Sequence, residues 1–455
     1  MSDAKTIGTD LTQGHVGKKL LRFSAPFMLA NLLQTVYNLV DTVVVGHFVG
    51  TDGLSAVSTC GELIQMYTLI AIGFAGAGQT MIGQFVGARD KERVNRTIGT
   101  LFTTLLVLAL AVTAFCFATA RWQLRLIHLP QEAMAGGMSY LLVCAAGMVF
   151  IFGYNMVSAV LRGMGDSKRP LIFVAVASAV NLVLDLIFVP VLRLGVMGAA
   201  LATVLGQGVA FFSALIYLYH RKESFGFDFR PASFRPRRDL LGTLVRLGIP
   251  MAAQGALICV SMLYVCSLVN DFGVAASAAN GIQIKLNSII RIVSNSMGTA
   301  GSAMIAQCVG AGRPERVKAV FWWDFAITMA ASLLCAGAIF LLPRQIFGCF
   351  NTDPEVLDYA AVYAIYGVFD YIGFAFRSPC NAVINGTGAA VLGMTAGIVD
   401  GVAARIGFSI LFGNVLGMGV AGYWLGNTLA GYVSVLISAP YYLTGRWKRK
   451  KLLLS

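Results

Sequence analysis

Residues 83–94 read GQFVGARDKERV, and residues 306–317 read AQCVGAGRPERV. Seven of the twelve positions agree, at an offset of 223. Two further pairs keep almost the same spacing. AVLRGMG at 159–165 meets AVINGTG at 382–388 at offset 223, and LLRFSAP at 20–26 meets LVRLGIP at 244–250 at offset 224. A composition this biased yields one such match by chance; three in the same order make an internal repeat. The longest polar connector, Arg221–Arg238, falls between the two copies. The expected organisation is an N-lobe over 1–222, a cytoplasmic linker over 223–238, and a C-lobe over 239–455 that ends in a basic cytoplasmic tail.

Each copy holds six apolar stretches long enough to cross about 30 Å of hydrocarbon, a distance that takes roughly twenty helical residues. They run 18–46, 54–80, 94–119, 133–158, 170–192 and 196–219, then 239–269, 278–306, 317–342, 356–383, 389–413 and 418–444. Six is even, so both copies insert the same way up. The repeats are then parallel, related by an axis along the membrane normal. The expected fold is an all-α membrane protein of twelve transmembrane helices in two parallel six-helix bundles. Rocking such bundles gives alternating access, which is a transporter architecture. Loop charge orients the chain. Twenty-five Lys and Arg residues fall in the N-terminal stretch, the even-numbered loops and the C-terminal tail, or within the first five residues of the spans that follow them. The odd-numbered loops hold four: Arg121, Arg125, Arg193 and Arg344. That asymmetry predicts cytoplasmic termini.

Composition excludes the main alternatives. Of 455 residues, 57% are hydrophobic and only 12% are charged; the mean hydropathy is +0.75. So thin a charged skin cannot cover a soluble globule of this size, and disorder would need the opposite balance. The net charge of +13 fits basic loops held against an anionic leaflet, and no nucleic-acid partner is expected. The nine cysteines show no Cys-x-x-Cys or Cys/His ligand spacing, so they read as small core residues without metal or redox work. Residues 1–17 are polar, so no cleavable signal peptide is expected. GFAGAG at 73–78 lies inside an expected span with no strand before it, which argues against a phosphate loop.

Ionisable groups at membrane depth are expensive and point to function. The first half offers Asp41, Glu62 and Asp185, with no Lys or Arg expected at that depth. A carboxylate stranded without a cation is a natural carrier of a proton or small cation. Asp185 lies about fifteen residues into the fifth span, and Asp41 is near the outer end of the first. Tyr140 and Thr203 lie about seven residues into spans that enter from outside, or ~10 Å at 1.5 Å per residue. Asn181 precedes Asp185 by four and shares its helix face. These five residues are expected to form a polar pocket in the outer half of the first bundle. The bland alternative for each polar group is glue between helices. Pro26, fifteen residues before Asp41, is a candidate hinge. In the second half Lys285, Arg291, Asp370, Arg377, Asp400 and Arg405 lie in or near spans, so buried ion pairs are the simpler reading there. Asp370 follows Tyr366 by four, on one face, and could pair with Arg377 or Arg405. No nucleophile–base or metal constellation is visible, so no enzyme and no cofactor are expected.

Taken in order, the paired VGA…ERV loops, Pro26 with Asp41, Asn181-x-x-x-Asp185 and the AVLRGMGD segment resemble the multidrug and toxic compound extrusion (MATE) family, closest to its bacterial DinF-like and MepA-like branch. The resemblance spans nearly the whole chain. It implies a monomeric inner-membrane antiporter that exports bulky, often cationic organic compounds in exchange for H⁺ or Na⁺. It also implies a cation site at Asp41, Tyr140, Asn181, Asp185 and Thr203, with Gln34 nearby, and a kinking role for Pro26. Some members use a span-seven glutamate with a span-ten aspartate for Na⁺. Tyr366 and Asp370 match the span-ten part, but Gln254 stands at the span-seven position, which tilts coupling toward the N-lobe and toward H⁺. The competing function is a lipid-linked precursor flippase of the same superfamily. It would be expected to line its cleft with Arg and Lys, and the first half offers none.

Overall fold

The computed structural model describes residues 9–225, 227–449 and 453. Among them there is no strand, and long helices carry the fold. In the first half these are α1 (Val16–Phe48), α2 (Thr51–Gly87), α3 (Lys91–Leu126), α4 (the pair Met134–Ala146 and Met148–Gly163), α5 (Lys168–Val191) and α6 (Gly195–His220). The second half holds α7 (Arg238–Asn270), α8 (Val274–Gly310), α9 (Pro314–Leu341), α10 (Pro354–Gly386), α11 (Ala390–Val415) and α12 (Val420–Leu443). α4 bends by 46° at Gly147. The C-terminal end of α5 and two stretches of α11 wind as π-helix.

Among the described residues ten helices are long and apolar enough to cross a membrane, and the bent α4 makes eleven. The twelfth is α8. Its 37 residues have the length, but it buries Asn280, Gln283, Asn287, Ser294 and Ser296, which dilutes its hydropathy. Large apolar side chains such as Leu334, Leu341, Leu436 and Leu443 point outward, as hydrocarbon in place of water allows.

The described chain packs as two units. One contains Ala25–Ala252; the other contains Leu11–Ser24 and the residues from Ala253 onward. The packing therefore departs from the halves of the sequence at the start of α1 and of α7. The first turns of α1 belong to the second unit, where a Cβ on Gly17 would touch Trp323 of α9. The first half of α7 belongs to the first unit, where Gly248 faces Phe74 and Gly73 faces Ala252. The changes fall beside Pro26 and Pro250, the two prolines that end the repeated LLRFSAP and LVRLGIP segments.

Hydrogen bonds and close contacts hold both exchanged segments. In the second unit Arg313 Nη1 donates to the Thr12 carbonyl at 2.7 Å, and Arg316 donates to the Gly14 and Gln13 carbonyls at 3.0 and 3.1 Å. In the first unit α3 holds the segment before α7. Thr103 Oγ1 donates to the Phe234 carbonyl at 2.5 Å, and Gly99 lies so close to the Ser233 carbonyl that a Cβ would collide with it. In that segment the Ser233 hydroxyl donates to the Asp228 carboxylate and holds it below its usual carboxylate range.

Each unit has its own apolar core. The first gathers Val45, Ala56, Cys60, Leu124, Tyr140, Leu141 and Ala199; the second gathers Val269, Ala279, Ile290, Phe347, Tyr363 and Tyr423. Small residues set the close crossings. On α12, Gly422 and Gly426 lie one turn apart against the backbone of α11. A Cβ on Gly422 would sit 2.4 Å from the Phe412 carbonyl carbon, and one on Gly426 would sit 2.6 Å from the Ser409 nitrogen. Backbone cannot step aside as a side chain can, so Gly422→Ala is expected to cost about 1–3 kcal/mol of packing. Thermal unfolding in detergent checks it. Gly407→Ala, where a Cβ meets nothing within 4 Å, is the control, and equal melting of the two variants would contradict the prediction.

Candidate functional site

The first unit brings the expected pocket residues into one neighbourhood. α5 and α6 run antiparallel and touch where Gly206 meets Asn181; a Cβ on Gly206 would lie 3.0 Å from the Asn181 Cβ. One turn later on α5 and one turn earlier on α6 lie Asp185 and Thr203, which come level with each other by helix geometry. Asn181 and Asp185 are buried, and Thr203 is half-buried. Asp41 on α1 is half-buried and stands within electrostatic reach of Asp185. Tyr140 on α4 is buried in the core with Val44 and Val45 of α1 and Cys60 of α2, and Asp41 acts on it electrostatically.

Two residues that the sequence did not single out join this set. Tyr37, one turn before Asp41, feels Asp41, Asp185 and Cys144, and Gln34 is a hydrogen-bond partner of its hydroxyl. Cys144, one turn after Tyr140, is that tyrosine's hydrogen-bond partner. Helical spacing from Asp41 and Tyr140 was the available signal for both. Pro26 lies elsewhere on α1, beside the point where that helix changes unit.

The chemistry lies in what these groups lack. Asp41 Oδ1, Asp185 Oδ1 and both amide atoms of Asn181 are buried without a hydrogen-bond partner. Unpartnered buried polar atoms are rare and call for an explanation. Among the described residues no Lys, Arg or His forms an ion pair with Asp41 or Asp185. Arg162 of this unit, half-buried, donates from Nε to Gln79 Oε1 at 2.7 Å. The outcome is two carboxylates, an amide and two hydroxyls, the donor set of a proton or monovalent-cation site.

The second unit is arranged otherwise. Asp370 accepts a 2.6 Å hydrogen bond from Asn287 Nδ2, whose Oδ1 accepts from the Tyr363 hydroxyl at 2.7 Å. Arg405 and Arg377 are committed to Asp400, at 2.7 and 3.4 Å, and Arg405 also donates to Asn427. Asp400 and Arg405 sit on one π-helical stretch of α11. So neither arginine pairs directly with Asp370, although both act on it through space. Tyr366 packs against the apolar core of this unit. Gln254 presses against Gly393 and Gly397 of α11; a Cβ on Gly397 would lie 2.7 Å from its Cγ. Asp324, ten residues past Pro314 on α9, is fully buried and is a further charge-bearing residue of this unit that the spans alone did not single out. Its charge inside an apolar run was the missed signal.

The MatE family model matches residues 26–187 and 250–411, once on each repeat. The chain belongs to the MatE family. Relatives run nearly its full length. Probable multidrug resistance protein YpnP of Bacillus subtilis is 30% identical over 97% of this chain and 98% of its own. Multidrug export protein MepA of Staphylococcus haemolyticus is 22% identical over 85% and 86%. Among solved structures, a MOP superfamily transporter from Pyrococcus furiosus superposes with a TM-score of 0.89 at 23% identity, covering 98% of both chains. A MATE in the bent conformation gives 0.88 at 22%, covering 98% of this chain and 97% of its own. This MatE protein is a multi-pass membrane transporter of a multidrug efflux family, not an enzyme. Its fold is that of the MATE crystal structures.

Proposed function

We propose that this MatE protein is a cation-coupled antiporter that exports bulky, often cationic organic compounds by alternating access between a cytoplasmic and an external face. Both termini are cytoplasmic, the membrane is the bacterial inner membrane, and the unit of transport is a monomer. The coupling ion is H⁺, with Na⁺ as the competitor. It binds at Asp41 and Asp185, with Asn181, Tyr140 and Thr203 completing the pocket. Pro26 is the hinge. Gln34, a hydrogen-bond partner of Tyr37 in the first unit, and Gln254, Tyr366 and Asp370 in the second are secondary or substrate-facing positions.

One observation carries this reading: the orphaned oxygens of Asp41 and Asp185, within electrostatic reach of each other in the first unit and without an ion-pair partner among the described residues. Names of relatives such as multidrug export protein MepA support the substrate class. Export of a neutral compound against a hundredfold gradient needs ~2.8 kcal/mol, which one charge crossing ~150 mV barely covers at roughly 3.5 kcal/mol; a cationic compound exchanged for one cation is electroneutral and leans on the chemical gradient alone. The flippase reading is weaker, because Arg377 and Arg405 are held by Asp400 and so are not free for a pyrophosphate.

Efflux of a fluorescent organic cation from proteoliposomes, under separately imposed pH and Na⁺ gradients, tests the proposal. Efflux driven by the pH gradient alone is expected; efflux driven only by Na⁺ would reassign the ion, and none under either would remove the antiport. Gln254→Ala in the same assay is expected to change the rate by less than about threefold, under 1 kcal/mol, because its side chain packs on glycines and carries no charge.

A further inference from the structure

The interior of the second unit contains a carboxyl group that the antiport reading does not use. Asp324 of α9 lies ten residues past Pro314, about 15 Å along the helix at 1.5 Å per residue. It is fully buried. Thr328 and Ser332 follow at one-turn intervals, and both are fully buried too. α8 and α10 cover this stripe: Gly301 of α8 and Ser378 of α10 meet Asp324. Among the described residues no basic side chain pairs with it; the titratable group that feels it is Cys380 of α10.

The hydrogen-bond inventory fixes where its proton belongs. Ser378 Oγ lies 3.0 Å from the Ser294 carbonyl oxygen and 2.7 Å from Asp324 Oδ1. A hydroxyl has one proton, and a carbonyl can only accept. Both contacts are satisfied together when Ser378 donates to Ser294 and accepts from Asp324, which requires a proton on Oδ1. Thr328 Oγ1, 3.1 Å away, donates to the same oxygen. Asp324 Oδ2 has no partner at all. An orphaned carboxylate oxygen in hydrocarbon is very costly, whereas the carbonyl oxygen of a neutral acid is far less so.

The internal repeat supplies a control. At offset 223, Gly301 corresponds to Gly78, Asp324 to Leu101 and Thr328 to Leu105. The same crossing exists in the first unit, where a Cβ on Gly78 would lie 2.4 Å from the Leu101 side chain. Leucines fill that place there, so the packing itself does not ask for a carboxyl group. We propose that Asp324 is a proton-binding site of the second unit, a neutral carboxylic acid that donates from Oδ1 to Ser378 and, through Ser378, is tied to the Ser294 carbonyl. Under the antiport reading it is a second place where the transporter stores a proton, but the assignment stands apart from that reading.

Infrared spectra of the full-length protein in lipid, compared between variants at pH 7, test it. The wild type is expected to show a carboxylic C=O band at the high-frequency, weakly hydrogen-bonded end, because Oδ2 has no partner. Asp324→Asn should lose that band, and so should Asp324→Leu, which installs the residue of the first repeat and is expected to fold. Ser378→Ala should shift the band and keep it. Asp41→Asn should leave it in place, so a failed first-unit coupling site and a failed Asp324 assignment give different spectra. An unchanged band in the folded Asp324 variants, or an unmoved band in Ser378→Ala, would overturn the proposal.

Discussion

Asp41→Asn is expected to abolish export, lowering substrate efflux to that of protein-free vesicles, a loss of more than about tenfold or ~1.4 kcal/mol in the driven step. The amide has nearly the shape of the acid but can neither release a proton nor hold a positive ion by charge. Asp41 Oδ1 is buried and unpartnered, so no hydrogen bond is broken by the change. Removing an ionisable group from hydrocarbon also lowers the cost of insertion, so the variant should reach the membrane and melt no earlier than the wild type. Asp185→Asn is expected to behave alike, because the two carboxylates act on each other and a half-site cannot complete the exchange. Efflux from proteoliposomes with matched protein content is the measurement. Full export by Asp41→Asn would remove that residue from the mechanism. Lost export in Gln254→Ala beside retained export in Asp41→Asn would move coupling to the second unit.

The second large effect concerns stability. Asp400→Leu is expected to destabilise the second unit by about 3–5 kcal/mol, the usual cost of removing one partner from a buried ion pair. Asp400 is fully buried, Arg405 nearly so, and Arg377 also reaches the same carboxylate. Without the acid both guanidinium groups lose the carboxylate they pair with directly. Thermal unfolding followed by size-exclusion chromatography should show a lower midpoint and loss of the monodisperse peak. Pairing the change with Arg405→Met should restore part of the loss, since an apolar pair of similar volume often replaces a buried ion pair without harm. An unchanged midpoint in the single variant would show that the cluster contributes nothing to the fold.

Much of the site was legible in the chain because its signals are local. A charged residue inside an apolar run is visible without a structure, and helical spacing places Asn181 and Asp185 on one face. For Tyr37 and Cys144 helical spacing was the one local signal: a tyrosine and a cysteine are ordinary in a span, and the packing of α1 against α4 gives them their neighbours. Asp370 illustrates the same limit. From the sequence it could pair with either of two arginines, but Asp400 takes both and Asn287 takes Asp370.

The sequence by itself determined the class, the twelve spans, the twofold repeat and the residues that bear charge at depth, since hydropathy, loop charge and spacing are properties read along the chain. The tertiary structure decided which unit owns the first turns of α1 and α7, which carboxylates are left without a cation, and where Asp324 finds its hydroxyl partners. Those depend on contacts between helices far apart in the chain, such as Arg313 with Thr12 or Asp324 with Ser378. No local pattern encodes which of several buried polar groups will meet once the helices close on one another.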